Sequence, residues 1–278
     1  MPASEPLERR QLRHALRALT NRIKNSQVLE FDQDEAKTYD IDILPMELGQ
    51  SKSRPIFFIP CPASLLLTPS DAYEEEGHEF HDFDAFHPDD KSPMTCAYWL
   101  TDFVLGYAYA CLRGAGHEEL YKLGERWSEV SIDDTPFKGL HQFQSPEWVT
   151  RWAIQVAEGS QTHIKAFTYH NMNGTDNKIL RGEVMVALHL MIAQLRRTRF
   201  IEQLTAPVLL FSFMGPQHAR LIEAYFNGTS LVVRPTRLFD LRKKDWTVIK
   251  TFGQWYYGLP AGDTTQLWSS GSQSSTQV

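Results

Sequence analysis

One segment, Arg181 to Asp240, limits what this chain can fold into more than any other. From Val184 to Ala193 every residue except His189 is apolar, so a helix here must be covered on most sides. Its polar positions Glu183, Gln194 and Arg197 share one stripe at helical spacing. Ala206-Pro207 stops the helix, and Val208-Leu209-Leu210-Phe211-Ser212-Phe213 is a nearly continuous apolar run, the pattern of a strand buried on both faces. After Gly215, Pro216 stands where a helix takes its first residue, a place that needs no N–H donor. A helix is therefore expected from Pro216 to Phe226, closed by Asn227-Gly228, a pair suited to a left-handed turn. Leu231-Val232-Val233 predicts a second strand, broken at Pro235. The expected unit is strand, helix, strand.

In that helical frame His218, Leu221, Ile222 and Tyr225 share an inward face. Two readings of His218 stand: a core histidine bonded to a backbone carbonyl, or the lining of a pocket at the carboxyl end of the 208–213 strand, where open α/β sheets favour ligands. Arg220 and Glu223, three residues apart, are expected to form a surface ion pair of little energetic weight. The run Ala206-Pro207-Val208-Leu209-Leu210-Phe211-Ser212-Phe213-Met214-Gly215-Pro216-Gln217-His218-Ala219-Arg220, following Glu183-Val184-Met185-Val186-Ala187-Leu188, resembles a group of poorly characterised fungal proteins. The resemblance spans roughly the last third of the chain. It implies a fungal source and a role in specialised metabolism, and it carries over no catalytic residue.

At 278 residues with 42% hydrophobic and 12% aromatic side chains, the chain can bury a sizeable core. No apolar run approaches the roughly 20 residues that span a bilayer. The N-terminus has no apolar signal region, so the expected compartment is the cytoplasm. Cys61, Cys96 and Cys111 show no metal-ligand spacing and suit reducing conditions. The net charge of −6 is unevenly placed: residues 71–90 carry nine acids and no Lys or Arg. The remainder is near neutral and advertises no nucleic-acid surface.

Elsewhere, Leu12, Ala15, Leu16, Leu19 and Ile23 predict an amphipathic N-terminal helix with Arg10, Arg13 and Arg17 on another face. Val28–Phe31, Ile56–Ile59 and Ile164–Tyr169 read as strands. Thr95–Leu112 reads as an aromatic-rich helix, Pro146 as the start of a helix through Glu158, and Asp245–Tyr257 as a last helix. Residues 262–278 are mostly Ser, Thr, Gln and Gly, the composition of a disordered tail. With neither repeat nor linker, the expectation is one α+β domain over residues 1–261, a mixed sheet packed by helices, with a long acidic loop.

The acidic loop holds His78, His81 and His87 among carboxylates, yet its spacing matches no zinc pattern. It reads as a solvated loop, a lid over a pocket, or a metal site. Pro88-Asp89 with Asp176-Asn177-Lys178 imitates the letters of a magnesium-dependent nuclease, but in segments that read as loops. Dinucleotide, P-loop, nucleophile-elbow and zinc-protease motifs are absent. Cys61, between two prolines, has nothing nearby in sequence to lower its pKa.

These observations favour a cofactor-independent enzyme, of cyclase or isomerase type, acting on an apolar small molecule. The residues expected to do the chemistry are His218 with Tyr169 or His170; Trp99, Phe103 and Tyr225 are the expected substrate-binding wall. No cofactor, metal, nucleic-acid partner or membrane is expected. The alternatives are a non-catalytic interaction module that meets a protein partner through the acidic loop, and a metal-dependent hydrolase or nuclease drawing on His78, His81, Asp82, Asp84, His87, Asp176 and Glu183.

Overall fold

A computed structural model describes residues 5–49, 51–68, 79–114 and 118–268. Among the described residues six α-helices are formed: α1 (Leu7–Lys24), α2 (Gln33–Thr38), α3 (Pro93–Gly114), α4 (Glu118–Glu125), α5 (Arg181–Leu195) and α6 (Trp246–Tyr256). The short strands are β1 (Glu30–Phe31), β2 (Ile41–Ile43), β3 (Phe58–Ile59), β4 (Trp127–Glu129), β5 (His141–Gln142), β8 (Ile179–Leu180), β12 (Phe239–Asp240) and β13 (Leu259–Pro260). The long ones are β6 (Trp148–Val156), β7 (Ile164–Asn173), β9 (Val208–Gly215), β10 (His218–Phe226) and β11 (Leu231–Pro235).

The central sheet runs β2-β11-β10-β9-β7-β6-β4, with β12 beside β10 and β5 beside β6. Its pairings are antiparallel except β11 with β2 and β7 with β9. A parallel pair needs a crossover, and α5 lies on the one from β7 to β9. This is the mixed sheet of an α+β domain, packed by helices on both faces.

Alternation along the strands sorts the core into two layers. Leu209, Phe211 and Phe213 join α3 and α6 on one face, together with Phe167, Leu221 and Val232. Val208, Leu210, Ile222, Ala224 and Val233 meet α5 on the other, and α1 packs behind α5 through Leu12, Leu16, Leu19 and Ile23. Two buried cations close helix ends. Arg9 of α1 donates to the carbonyls of Leu195 (2.7 Å), Arg197 (3.1 Å) and Gln203 (2.9 Å), just past α5. Lys165 of β7 donates to the carbonyls of Trp255, Tyr256 and Gly258 at the end of α6, and its Nζ lies 3.6 Å from the centre of the Trp127 ring. Burial pushes the Lys165 pKa well down, yet three acceptors match the three N–H groups of an ammonium, and this geometry holds the charged form.

The predicted strand–helix–strand unit is overturned. Residues 218–226 are strand β10, not a helix, and they pair with β9 from His218↔Met214 to Ala224↔Val208. Gly215-Pro216-Gln217, with a cis Gly215–Pro216 bond and a positive φ of 62° at Gln217, makes a hairpin turn where a helix start was expected. Arg220 and Glu223 are therefore no surface pair. Three apart on a strand, they point to opposite faces, and both are fully buried. The helix expected from Pro146 to Glu158 is also a strand, β6; a bulge at Arg151 shifts its register, so Trp148 and Trp152, four residues apart, pack on opposite faces of the sheet. The expected helices at 95–112, 184–193 and 245–257 and the strands at 164–169, 208–213 and 231–233 are present.

Residues 262–268, which composition assigns to the tail, lie against the domain. Thr264 is buried and receives the backbone N–H groups of Leu204 and Thr205, and the Trp268 ring packs edge-on to Phe57. Residues 269–278 lie outside the described residues, as do Asp71, Glu74, Glu75, Glu76 and His78 of the acidic loop. No helix among the described residues is long and apolar enough to cross a membrane.

Candidate functional site

A groove of about 920 Å³ opens at one end of the sheet. Five pieces of chain build it: the β1–α2 connection, β2 with the segment after it, the turn at 176–177, the run from the end of β11 to β12, and Thr251 of α6. Buried or half-buried Ile43, Met46, Leu48, Pro235 and Phe239 form its floor. Exposed Asp32, Asp34, Glu47 and Asp176 stand on its rim with one base, Arg237. Two rim carboxylates are fixed by backbone N–H groups: Asp32 accepts from Asp34 (3.1 Å) and Glu35 (2.9 Å), and Asp176 accepts from Leu238 (2.5 Å).

His218 is not one of the groove's lining residues and faces the opposite side of the sheet from the floor residue Phe239. β12 pairs with the first residues of β10, so Phe239, a floor residue, lies beside Ala219, and Asp240 lies beside His218. The imidazole Nε2 is 4.0 Å from Asp240 Oδ1. Partial burial lowers the His218 pKa, and the carboxylates of Asp240 and Asp176 pull it back up without reversing the shift. The ring is therefore neutral at neutral pH, with two carboxylates near enough to steady a proton it takes up. Asp240 is itself held down at about 2, chiefly by its hydrogen bonds with Arg242.

The structure does not bring the expected catalytic residues together. Tyr169 and His170 are consecutive on β7 and face opposite sides of the sheet. His170 shares the face of His218, both flanking Met214, but it is sealed in: a Cβ on Gly182 would come within 2.6 Å of its Nδ1. Burial lowers its pKa to about 4. Tyr169 instead lines a separate cavity of about 460 Å³ with Tyr98, Asp133, His141 and Arg151.

The expected substrate-binding wall is also dispersed. Phe103 is core, edge-on to Phe80 at 5.0 Å. Tyr225 is core against Phe57 at 5.1 Å, and burial pushes its hydroxyl up to about 12. Trp99 is 42% exposed, edge-on to His81.

Among the described residues no three of His, Cys, Asp or Glu gather as metal ligands, and Glu183, one of the residues weighed for that role, is spent on Arg220. Burial pushes the Cys61 thiol up to about 11, consistent with a structural cysteine.

The groove's lining was not legible in advance. Pro45-Met46-Glu47-Leu48 has no periodicity, and its partners lie far away in sequence. No protein-family model matches this chain, and no match is found among curated proteins or solved structures.

Proposed function

We propose that the protein is a cofactor-independent enzyme, of isomerase or cyclase type, acting on a small apolar molecule that carries a basic group and lies in the 920 Å³ groove. One observation carries this reading: an apolar floor under a carboxylate rim, one of whose acids, Asp176, also acts electrostatically on His218. The volume falls within the range of about 300–1,000 Å³ typical of pockets for drug-sized ligands. Burial of the carbon skeleton on Met46, Leu48 and Phe239 supplies affinity; the rim carboxylates favour a positive centre, present in the ligand or developing during reaction. His218 moves the proton. The resemblance to fungal proteins fits a place in specialised metabolism.

The test is a binding screen with matched pairs on one skeleton, octylamine against octanol and tryptamine against its alcohol counterpart tryptophol. The amines are expected to bind the wild type, and Leu48→Arg, which puts a cation into the half-buried floor, is expected to abolish that binding. His218→Ala should keep it while removing any conversion that is found. Amine binding that survives Leu48→Arg unchanged, or no binding at all, would falsify the assignment to this groove.

A further inference from the structure

We infer that the cavity beside Tyr169 is a second ligand site, shaped for a small aromatic carboxylic acid. It lies at another part of the sheet, between the N-terminal half of α3 and strands β5, β6 and β7, and shares no lining residue with the groove.

Its construction departs from regular sheet at two places. Arg151 is the extra residue of the bulge between Thr150 and Trp152, and bulges re-aim side chains. Asp133 holds a φ of 74°, the left-handed region that non-glycine residues occupy at a cost. That backbone carries the Asp133 carboxylate to within 3.1 Å of His141 Nε2. The Thr150 N–H is shared between the other ring nitrogen, at 3.2 Å, and the Leu140 carbonyl, at 3.3 Å, an arrangement that favours the proton on Nε2, facing Asp133.

The chemistry left over is donor-rich. Among the described residues neither the Tyr98 nor the Tyr169 hydroxyl has a hydrogen-bond partner. Among the described residues the Arg151 guanidinium meets only Asp102, at 3.5 Å, with both side chains about half exposed. Asp133 is engaged by His141 and Asp102 by Arg151, so the unanswered groups are two phenols and most of a planar fork. A carboxylate supplies the acceptors that set needs, two oxygens in the plane of the guanidinium.

The walls specify the rest of the ligand. The Tyr98 and Tyr169 rings meet edge-on at 5.8 Å. Phe143, not itself a lining residue, is 76% exposed and stacks on the lining residue His141 at 5.9 Å.

The experiment titrates the full chain with phenylacetate and, as the uncharged control of the same shape, phenethyl alcohol, following binding by calorimetry. Phenylacetate is expected to bind at least about tenfold more tightly than the alcohol, the difference expected of one charge-assisted pair. Arg151→Gln, at a half-exposed position that folding tolerates, should remove that preference and leave alcohol binding unchanged. Tyr169→Phe should weaken the acid by a smaller factor. Leu48→Arg in the groove should leave phenylacetate untouched, so the two sites fail or stand separately. Equal affinity for acid and alcohol, acid binding that Arg151→Gln does not change, or no acid binding overturns the inference.

Discussion

The two faces of the central sheet each bury one Arg–Glu pair, and the pairs work differently. On the α5 face, Glu183 accepts from the Leu180 N–H (2.7 Å), the Ser212 hydroxyl (2.6 Å) and two nitrogens of Arg220. It caps its own helix and ties that helix to two strands at once. On the α3/α6 face, Glu223 accepts from the Phe57 (2.7 Å) and Ile56 (2.8 Å) N–H groups and from Arg234 (2.6 Å), while Arg234 also holds the Ser53 and Arg54 carbonyls. This second pair replaces the hydrogen bonds that an extended covering segment cannot make with itself.

Burial raises both carboxyl pKa values, but the outcomes diverge. Arg220, with help from His170 and Ser212, reverses the shift at Glu183 and leaves it lowered; the Phe57 and Ile56 N–H groups and Arg234 do not fully offset it at Glu223, which stays raised. A carboxylate shared by a helix and two strands is better compensated than one serving a loop.

The largest expected effect tests the stronger pair. Glu183→Gln leaves Arg220 charged, fully buried and without its counterion, and should cost about 3–5 kcal/mol in denaturant unfolding. A loss below about 1 kcal/mol would break the comparison.

Acid titration comes next, because each face also buries a neutral histidine: His170 on the α5 side, His163 on the other, both lowered from the usual 6.5 to about 4, chiefly by burial. The unfolded chain takes up these protons first. Stability therefore falls as pH drops from about 6.5 to about 4 and gains no further loss from these groups below that, at up to about 3 kcal/mol for each residue. His170→Gln should flatten this part of the pH–stability curve; an unchanged slope would mean that His170 is not buried uncharged.

The smallest effect is expected at Glu223→Gln, about 1–2 kcal/mol, since the glutamine carbonyl still accepts from Ile56 and Phe57. Hydrogen exchange should speed up at those two amides and remain slow around Leu180. Equal losses for the two Glu→Gln variants would erase the distinction between the faces.

Arg220 and Glu223 also show where sequence reading reached its limit. The apolar runs that form α5, β9 and β11 are long or unbroken, and burial on all sides leaves one period to choose. β10 mixes a histidine, an arginine and a glutamate into its apolar run at spacings that fit a helix. The deciding information lay elsewhere, in Glu183 and Arg234, which supply the counterions that let a strand bury charge on both faces. The site was legible only at single residues. His218 was marked, but the groove is assembled from segments as far apart as Asp32 and Thr251, and the cavity beside Tyr169 depends on a bulge that composition does not announce.

Lys165 has a consequence for how the molecule comes apart. Its ammonium joins β7 to the Trp255, Tyr256 and Gly258 carbonyls around the end of α6 and rests on Trp127. Peeling that helix away first would strand a charge under the sheet and leave three carbonyls bare, a step with no cheap intermediate. Helix α6 and strand β7 therefore open together as one cooperative unit, although about 80 residues of chain separate them.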